Sequence, residues 1–183
     1  MSIFEGLKVI DCGSFIAAPI AATLLGDFGA DVIKIEPPGA GDPNRVLPRL
    51  PGMPKTEHAY SWLLDNRNKR GIAIDLAKPD GQAVLHRLAA QADVFITNYP
   101  LAVRKKLALD YDRLAALNER LVYASFTGYG ETGAEAAKPG FDATAYWARW
   151  GRMDLVRSDA GTAPARGVAG MGMGVGLGFG MGN

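Results

Sequence analysis

The feature that most constrains this chain is an alternation of short, continuously apolar runs with helical segments. Leu7-Lys8-Val9-Ile10-Asp11 reads as a buried strand, residues 19–28 carry Ala21, Ala22, Leu24 and Leu25 at helical spacing, and Asp31 to Glu36 forms a second strand after Gly29. A strand–helix–strand unit of about thirty residues has the length a parallel crossover requires. The pattern continues with a strand at Gly71–Leu76, a helix from Pro79-Asp80 to about Ala92 and a strand at Asp93–Thr97. Helical segments at 101–107 and 110–118 and a strand at Leu121–Phe126 follow. Runs that are apolar throughout belong to strands covered on both faces. The expected fold class is therefore α/β: a doubly wound, mostly parallel, Rossmann-like sheet with helices on both faces and Leu7–Asp11 at its centre. Residues 44–62, broken by proline and glycine, predict a long irregular excursion. Ligands of such sheets sit beyond the carboxyl ends of the strands, which directs attention to residues 13–19, 37–42, 98–100 and 127–142.

Composition excludes several function classes. The chain is 48% apolar and 21% charged, ordinary for a globular domain, and its net charge of +1 offers no general attraction to nucleic acid or membrane. No charged leader with an apolar stretch and no 18-residue apolar run is present, so neither a signal peptide nor a membrane span is expected. Cys12 is the single cysteine, which rules out a disulfide framework and fits a reducing, cytoplasmic setting. Because it follows an apolar run, it reads as a buried structural thiol.

Motifs for common cofactors are missing. The turn after the first strand, Cys12 to Pro19, lacks the G-x-G-x-x-G of dinucleotide sites, and no P-loop occurs. The two histidines, His58 and His86, lie in separate segments, so no metal site is expected. No G-x-S-x-G marks a hydrolase serine. The basic run Arg104-Lys105-Lys106 follows the fourth strand. It is either a solvated helix face or, at a strand's carboxyl end, a partner for phosphate, and Lys138 before Pro139-Gly140 offers a second such contact.

These segments, taken in order, resemble the class III CoA-transferases, the formyl-CoA transferase and CaiB/BaiF-like family. The matching pieces are Gly6 to Asp11, Ala18-Pro19, Leu24 to Glu36, and Pro38-Gly39-Ala40-Gly41-Asp42 through Arg45. Asn68-Lys69-Arg70, Ile74-Asp75-Leu76, Ala92-Asp93-Val94 with Asn98, Leu121 to Ser125 with Gly128-Tyr129-Gly130, and Phe141-Asp142 complete the set. The resemblance implies that acyl-CoA and a carboxylic acid are the substrates, with coenzyme A as substrate rather than resident cofactor, and that the full-length protein is a homodimer. It implies that the adenine end of CoA packs near Ile16 and Ala17 and the loop at Pro37, against Ile74, Asp75, Leu76 and Ala77. Asn98 and Tyr99 would line the pantetheine path. Arg104, Lys106 and Lys138 would hold phosphates, and Phe141 would border the site.

In that family an aspartate following glycine attacks the thioester, forming a mixed anhydride and then an aspartyl-CoA thioester. The corresponding stretch here is Pro164 to Gly172 followed by Met173, and no aspartate follows Asp159. The resemblance thus leaves the nucleophile's place to a methionine and predicts a chain without transferase turnover. Two alternatives stand beside the transferase: a non-catalytic CoA-binding protein, and the acyl-CoA racemases of the same family. The racemases use a histidine where this chain has Phe141. Residues 1–166 are read as the N-terminal part of the large domain. Residues 167–183, glycine at every even position from Gly170 to Gly182, are read as an atypical tail resembling a truncated end.

Overall fold

The computed structural model describes residues 2–51, 53–149, 151–156, 159 and 161. The expected boundary at 166/167, the glycine-alternating stretch and Met173 lie outside them.

Five strands form one sheet: β1 (Lys8–Asp11), β2 (Asp31–Glu36), β3 (Lys69–Ala73), β4 (Val94–Thr97) and β5 (Val122–Ser125). Their order is β3-β2-β1-β4-β5 and every pairing is parallel, so β1 is central as expected. The helices are α1 (Ala17–Asp27), α2 (Tyr60–Asp65), α3 (Pro79–Ala89), α4 (Leu101–Lys106), α5 (Tyr111–Leu117) and α6 (Arg152–Leu155). A π-helical segment spans Asp142–Arg149.

Both faces of the central strands are covered, while at the edges β3 is largely and β5 partly exposed. Val9, Val32 and Ile96 pack with Ala18 and Ala22 of α1 on one side. Ile10, Ile35 and Phe95 pack with Leu85 and Ala89 of α3 and Leu114 of α5 on the other. The small residues of α1 let it lie close to β1, where larger side chains would hold it away.

Two expectations are corrected. The third strand begins and ends earlier than Gly71–Leu76. After Ala73 the chain makes one more sheet contact, Ile74 N–H to the Glu36 carbonyl at 2.9 Å, and then turns at Asp75. Ile74 and Leu76 are buried because they plug the core from this turn, not because they extend the strand. The excursion at 44–62 is also more regular than expected. Asp42 caps a 3₁₀ turn over Pro43–Arg49, its carboxylate accepting from Asn44 N–H at 2.9 Å, and α2 follows. Asp-Pro is a good start for such a turn, since the ring presets φ and needs no donor.

Candidate functional site

The chain order reverses between β1 and β4, so the turns leaving these two strands diverge and open a crevice at the carboxyl end of the sheet. The turn after β1 is held rigidly. Phe15 adopts a left-handed φ of 58°, costly for a bulky side chain. Its N–H donates to the Asp42 carboxylate and its carbonyl accepts from Asn44 Nδ2, both at 2.9 Å. Asn98, at the end of β4, accepts from Ser14 N–H and donates to the Ser14 carbonyl, both at 2.8 Å. Gly13 leaves no room for a side chain: a Cβ there would lie 2.5 Å from that of Ala18 and 3.3 Å from Asn98 Oδ1. We expect Gly13→Ala to destabilise the fold by about 1–3 kcal/mol in chemical denaturation. A loss below about 0.5 kcal/mol would show the turn to be pliable.

Beneath the turn lies a buried charge network. Lys34 Nζ sits 2.9 Å from Asp42, 3.5 Å from Asp11 and 2.7 Å from the Gly13 carbonyl. Lys69 Nζ binds Asp11 at 2.8 Å, the Pro19 and Asp65 carbonyls, and Asn66. Burial disfavours charge on both amines. For Lys34 the two aspartates outweigh it and the amine is held above the ordinary lysine value, whereas Lys69 is pulled below it. Glu36 is pushed up by burial, but hydrogen bonds from Arg45 and from Asp42 N–H prevail and hold it below the ordinary glutamate value. Arg45 in turn stacks over Trp62, 3.6 Å from the ring centroid. A carboxylate with a depressed folded pKa contributes stability that is present above its unfolded value and lost as pH falls. Unfolding free energy should therefore decline below about pH 4.5, and Glu36→Gln should flatten that decline in acid titrations followed by circular dichroism. An unchanged slope would remove Glu36 from the cause.

Among the described residues, three crevices lie around this sheet end. One of about 360 Å³ lies between the Pro37–Gly41 loop and β3, walled by Arg45, Gly71 and Ile72. A smaller one of about 170 Å³ runs between Ser14, Pro37, Asp42 and Tyr99. A third of about 390 Å³ separates α4 from the loop after β5, with Arg104, Lys105, Glu131 and Lys138 on its walls.

The residues singled out from the sequence divide accordingly. Pro37 and Tyr99 share the small crevice, and burial pushes the Tyr99 phenol upward. Arg104 and Lys138 share the third. Ile16 is buried against Leu47, next to Ala17 at the start of α1. Ile74 and Leu76 are buried in the core, with Asp75 and Ala77 at the turn between β3 and α3. Asn98 is buried and clamps the β1 turn. Lys106 is exposed and Phe141 is 42% exposed, and neither lines these three crevices.

The basic run does not act as a unit. Its residues form the last turn of α4, Arg104 points inward with its side chain 1% exposed, and Lys105 is the lysine that reaches the cleft. Sequence reasoning gave no site role to Glu131, or to Arg45 beyond its place in the family resemblance. Both follow glycine-rich turns at strand ends, a signal that could have marked them.

Among the described residues no cluster of three or more metal-ligating side chains occurs, and no helix is long and apolar enough to cross a membrane.

Known proteins agree with this architecture. The chain is 41% identical over 169 residues to (R)-2-hydroxy-4-methylpentanoate CoA-transferase of Clostridioides difficile, covering 92% of this chain and 42% of that one. It is 39% identical over 165 residues to human succinyl-CoA:glutarate CoA-transferase, covering 90% and 37%. A solved CaiB/BaiF family protein from Brucella suis superposes with a TM-score of 0.80 at 37% identity, over 92% of this chain and 44% of that chain. The chain thus spans about two-fifths of the length of the curated relatives it matches. The profile of CoA-transferase family III matches residues 4–178, through most of the glycine-alternating stretch. With all but its first three and last five residues inside that match, this chain belongs to CoA-transferase family III.

Proposed function

We propose that the chain binds a coenzyme A thioester across the carboxyl end of its sheet, as the CoA-binding part of a protein that moves CoA between an acyl-CoA and a carboxylic acid. The observation that carries this reading is the arrangement of the crevices. Those at Pro37 and Tyr99 are lined mostly by glycine and apolar residues, with Glu36 on the rim of both and Arg45 on the larger, suited to an adenine and a pantetheine arm. The cleft at Arg104, Lys105 and Lys138 supplies cations for phosphate. CoA enters as substrate and no resident cofactor is part of the scheme. A reducing, cytoplasmic setting is supported by the lone buried thiol of Cys12. A homodimer is supported by Leu24, Phe28, Leu63 and Leu64, which leave apolar surface exposed on and beside α1 and α2. A second reading, CoA binding without catalysis, is favoured by Met173 at the position expected for the nucleophile.

Calorimetric titration with CoA tests the reading. Binding should weaken as salt rises, because exposed phosphate contacts are screened. Lys105→Ala and Lys138→Ala should each weaken it by about three- to tenfold, and Lys106→Ala, outside the cleft, by less. Absence of heat with the folded protein, or no loss in the two cleft variants, would refute the phosphate assignment.

A further inference from the structure

The cleft between α4 and the loop after β5 already holds its own anions. Arg104 Nη2 lies 2.7 Å from Glu131 Oε1, and the same oxygen accepts from the Ser125 hydroxyl. Glu131 is 39% exposed while Arg104 is 1% exposed, so the carboxylate stands between the guanidinium and solvent. Arg104 Nε and Nη2 are both buried without a well-aligned hydrogen-bond acceptor among the described residues, so Glu131 holds Nη2 by close charge contact rather than by a good hydrogen bond. Tyr123, whose hydroxyl donates to the Leu109 carbonyl at 2.9 Å, packs beside the same guanidinium. Four residues after Glu131, Glu135 takes Lys138 at 2.7 Å and also binds Arg149. Two of the cleft's cations are thus occupied by carboxylates from a single loop. Glu131 is flanked by Gly130 at φ 83° and Gly133 at φ 91°, and an added Cβ at either would meet open space. These are turns that glycine makes without strain; local hydrogen bonds such as Gly130 N–H to Thr127 Oγ1 at 2.8 Å shape the loop, and Glu131 ties it to Ser125 and Arg104.

We propose that Glu131 is a built-in competitor for the anionic group of the ligand, holding Arg104 until a phosphate displaces it and the 127–133 loop moves aside. This rests on the CoA reading above for the identity of the ligand, but not for the existence of the latch. A phosphate offers more acceptor oxygens and more charge than one carboxylate, so it can take the Glu131 contact and reach the unpartnered Nε as well. The free protein then never exposes a bare buried guanidinium, and ligand affinity is the difference between two anions rather than the full strength of one. Glu135 plays the same part, more weakly, at the exposed Lys138.

The test compares wild type with Glu131→Gln, which keeps an acceptor for Ser125 but removes the competing charge. Coenzyme A and inorganic pyrophosphate are the calorimetric probes, and amide hydrogen exchange is the second readout. Glu131→Gln should bind both probes about tenfold more tightly, the scale of one partly buried charge-assisted contact. Ser125→Ala, which loosens Glu131 from its other side, should shift affinity the same way by less. In the free protein, amides of 127–133 should exchange faster in Glu131→Gln than in wild type. Equal or weaker binding by Glu131→Gln, or unchanged exchange, would overturn the latch. Tighter pyrophosphate binding with no CoA binding in either protein would uphold the latch and overturn the CoA reading. No binding of either probe to either protein would overturn both.

Discussion

Lys34→Met should lower the unfolding free energy by about 3–5 kcal/mol, the range found when one partner of a buried ion pair is removed. The side chain is 1% exposed and its amine meets Asp11, Asp42 and the Gly13 carbonyl. Methionine fills similar volume, so packing is nearly conserved and the loss isolates the charge. Asp11 would retain Lys69 at 2.8 Å, whereas Asp42 would lose the lysine it pairs with at 2.9 Å. Asp42 also caps the Pro43 turn and holds Phe15 in its left-handed conformation, so its distortion would spread into the β1 turn. Equilibrium urea unfolding measures the effect. Adding Asp42→Asn to Lys34→Met should recover part of the loss, because the stranded charge is then removed as well. A loss below about 1 kcal/mol, or no recovery in the double variant, would mean that water or backbone shifts relieve the site.

The parts of this fold that were legible in the sequence are those governed by continuous burial. β1, β2 and β4 are mostly buried, so apolar residues dominate their runs and the parallel sheet follows, while the edge strand β5, with Val122 61% exposed, keeps the same apolar character on partial cover. β3 was displaced by several residues because its signal is inverted. Lys69 and Arg70 look like turn residues yet are paired in the sheet, since Lys69 delivers its amine to Asp11 and Arg70 forks onto Asp31 of the adjacent strand. Ile74 and Leu76 look like strand residues yet lie in a turn. Periodicity reports which side chains are buried, not whether their backbone is paired.

The site was legible to a similar depth. The strand ends that matter follow from topology, and Pro37, Tyr99, Arg104 and Lys138 do line crevices there. The pairing of charges was not legible. Nothing in Asp11, Lys34, Asp42 and Lys69, spread over 58 residues of chain, announces that they converge. Glu131 and Arg104 likewise meet only because β4 and β5 are neighbours.

Given an acyl-CoA and a carboxylate acceptor, the 183-residue chain should transfer no CoA. The family reaction needs a carboxylate that attacks the thioester carbonyl and expels the CoA thiolate to leave a mixed anhydride. The thiolate then attacks the enzyme's own carbonyl, releasing the first acid. A thioether at Met173 has no oxygen with which to form that anhydride. Loss of a covalent nucleophile can cost on the order of a million-fold in turnover. Other groups at this sheet end are poor substitutes. Cys12 is buried and its thiol is pushed up to about 12 by desolvation and by Asp11, so no thiolate is available near neutral pH. Asp11 and Asp42 are buried and committed to lysines, and Glu36 is gripped by Arg45 at 2.7 and 2.8 Å. A carboxylate so held would have to break its ion pair before it could approach a carbonyl carbon. Incubation with acyl-CoA and hydroxylamine reads this directly, because any enzyme anhydride or thioester is intercepted as a hydroxamate on the protein. We expect no hydroxamate above that of a denatured control and no CoA release with any acceptor acid. One hydroxamate per chain would show that a carboxylate of this chain is free enough to act, and peptide mapping would identify it.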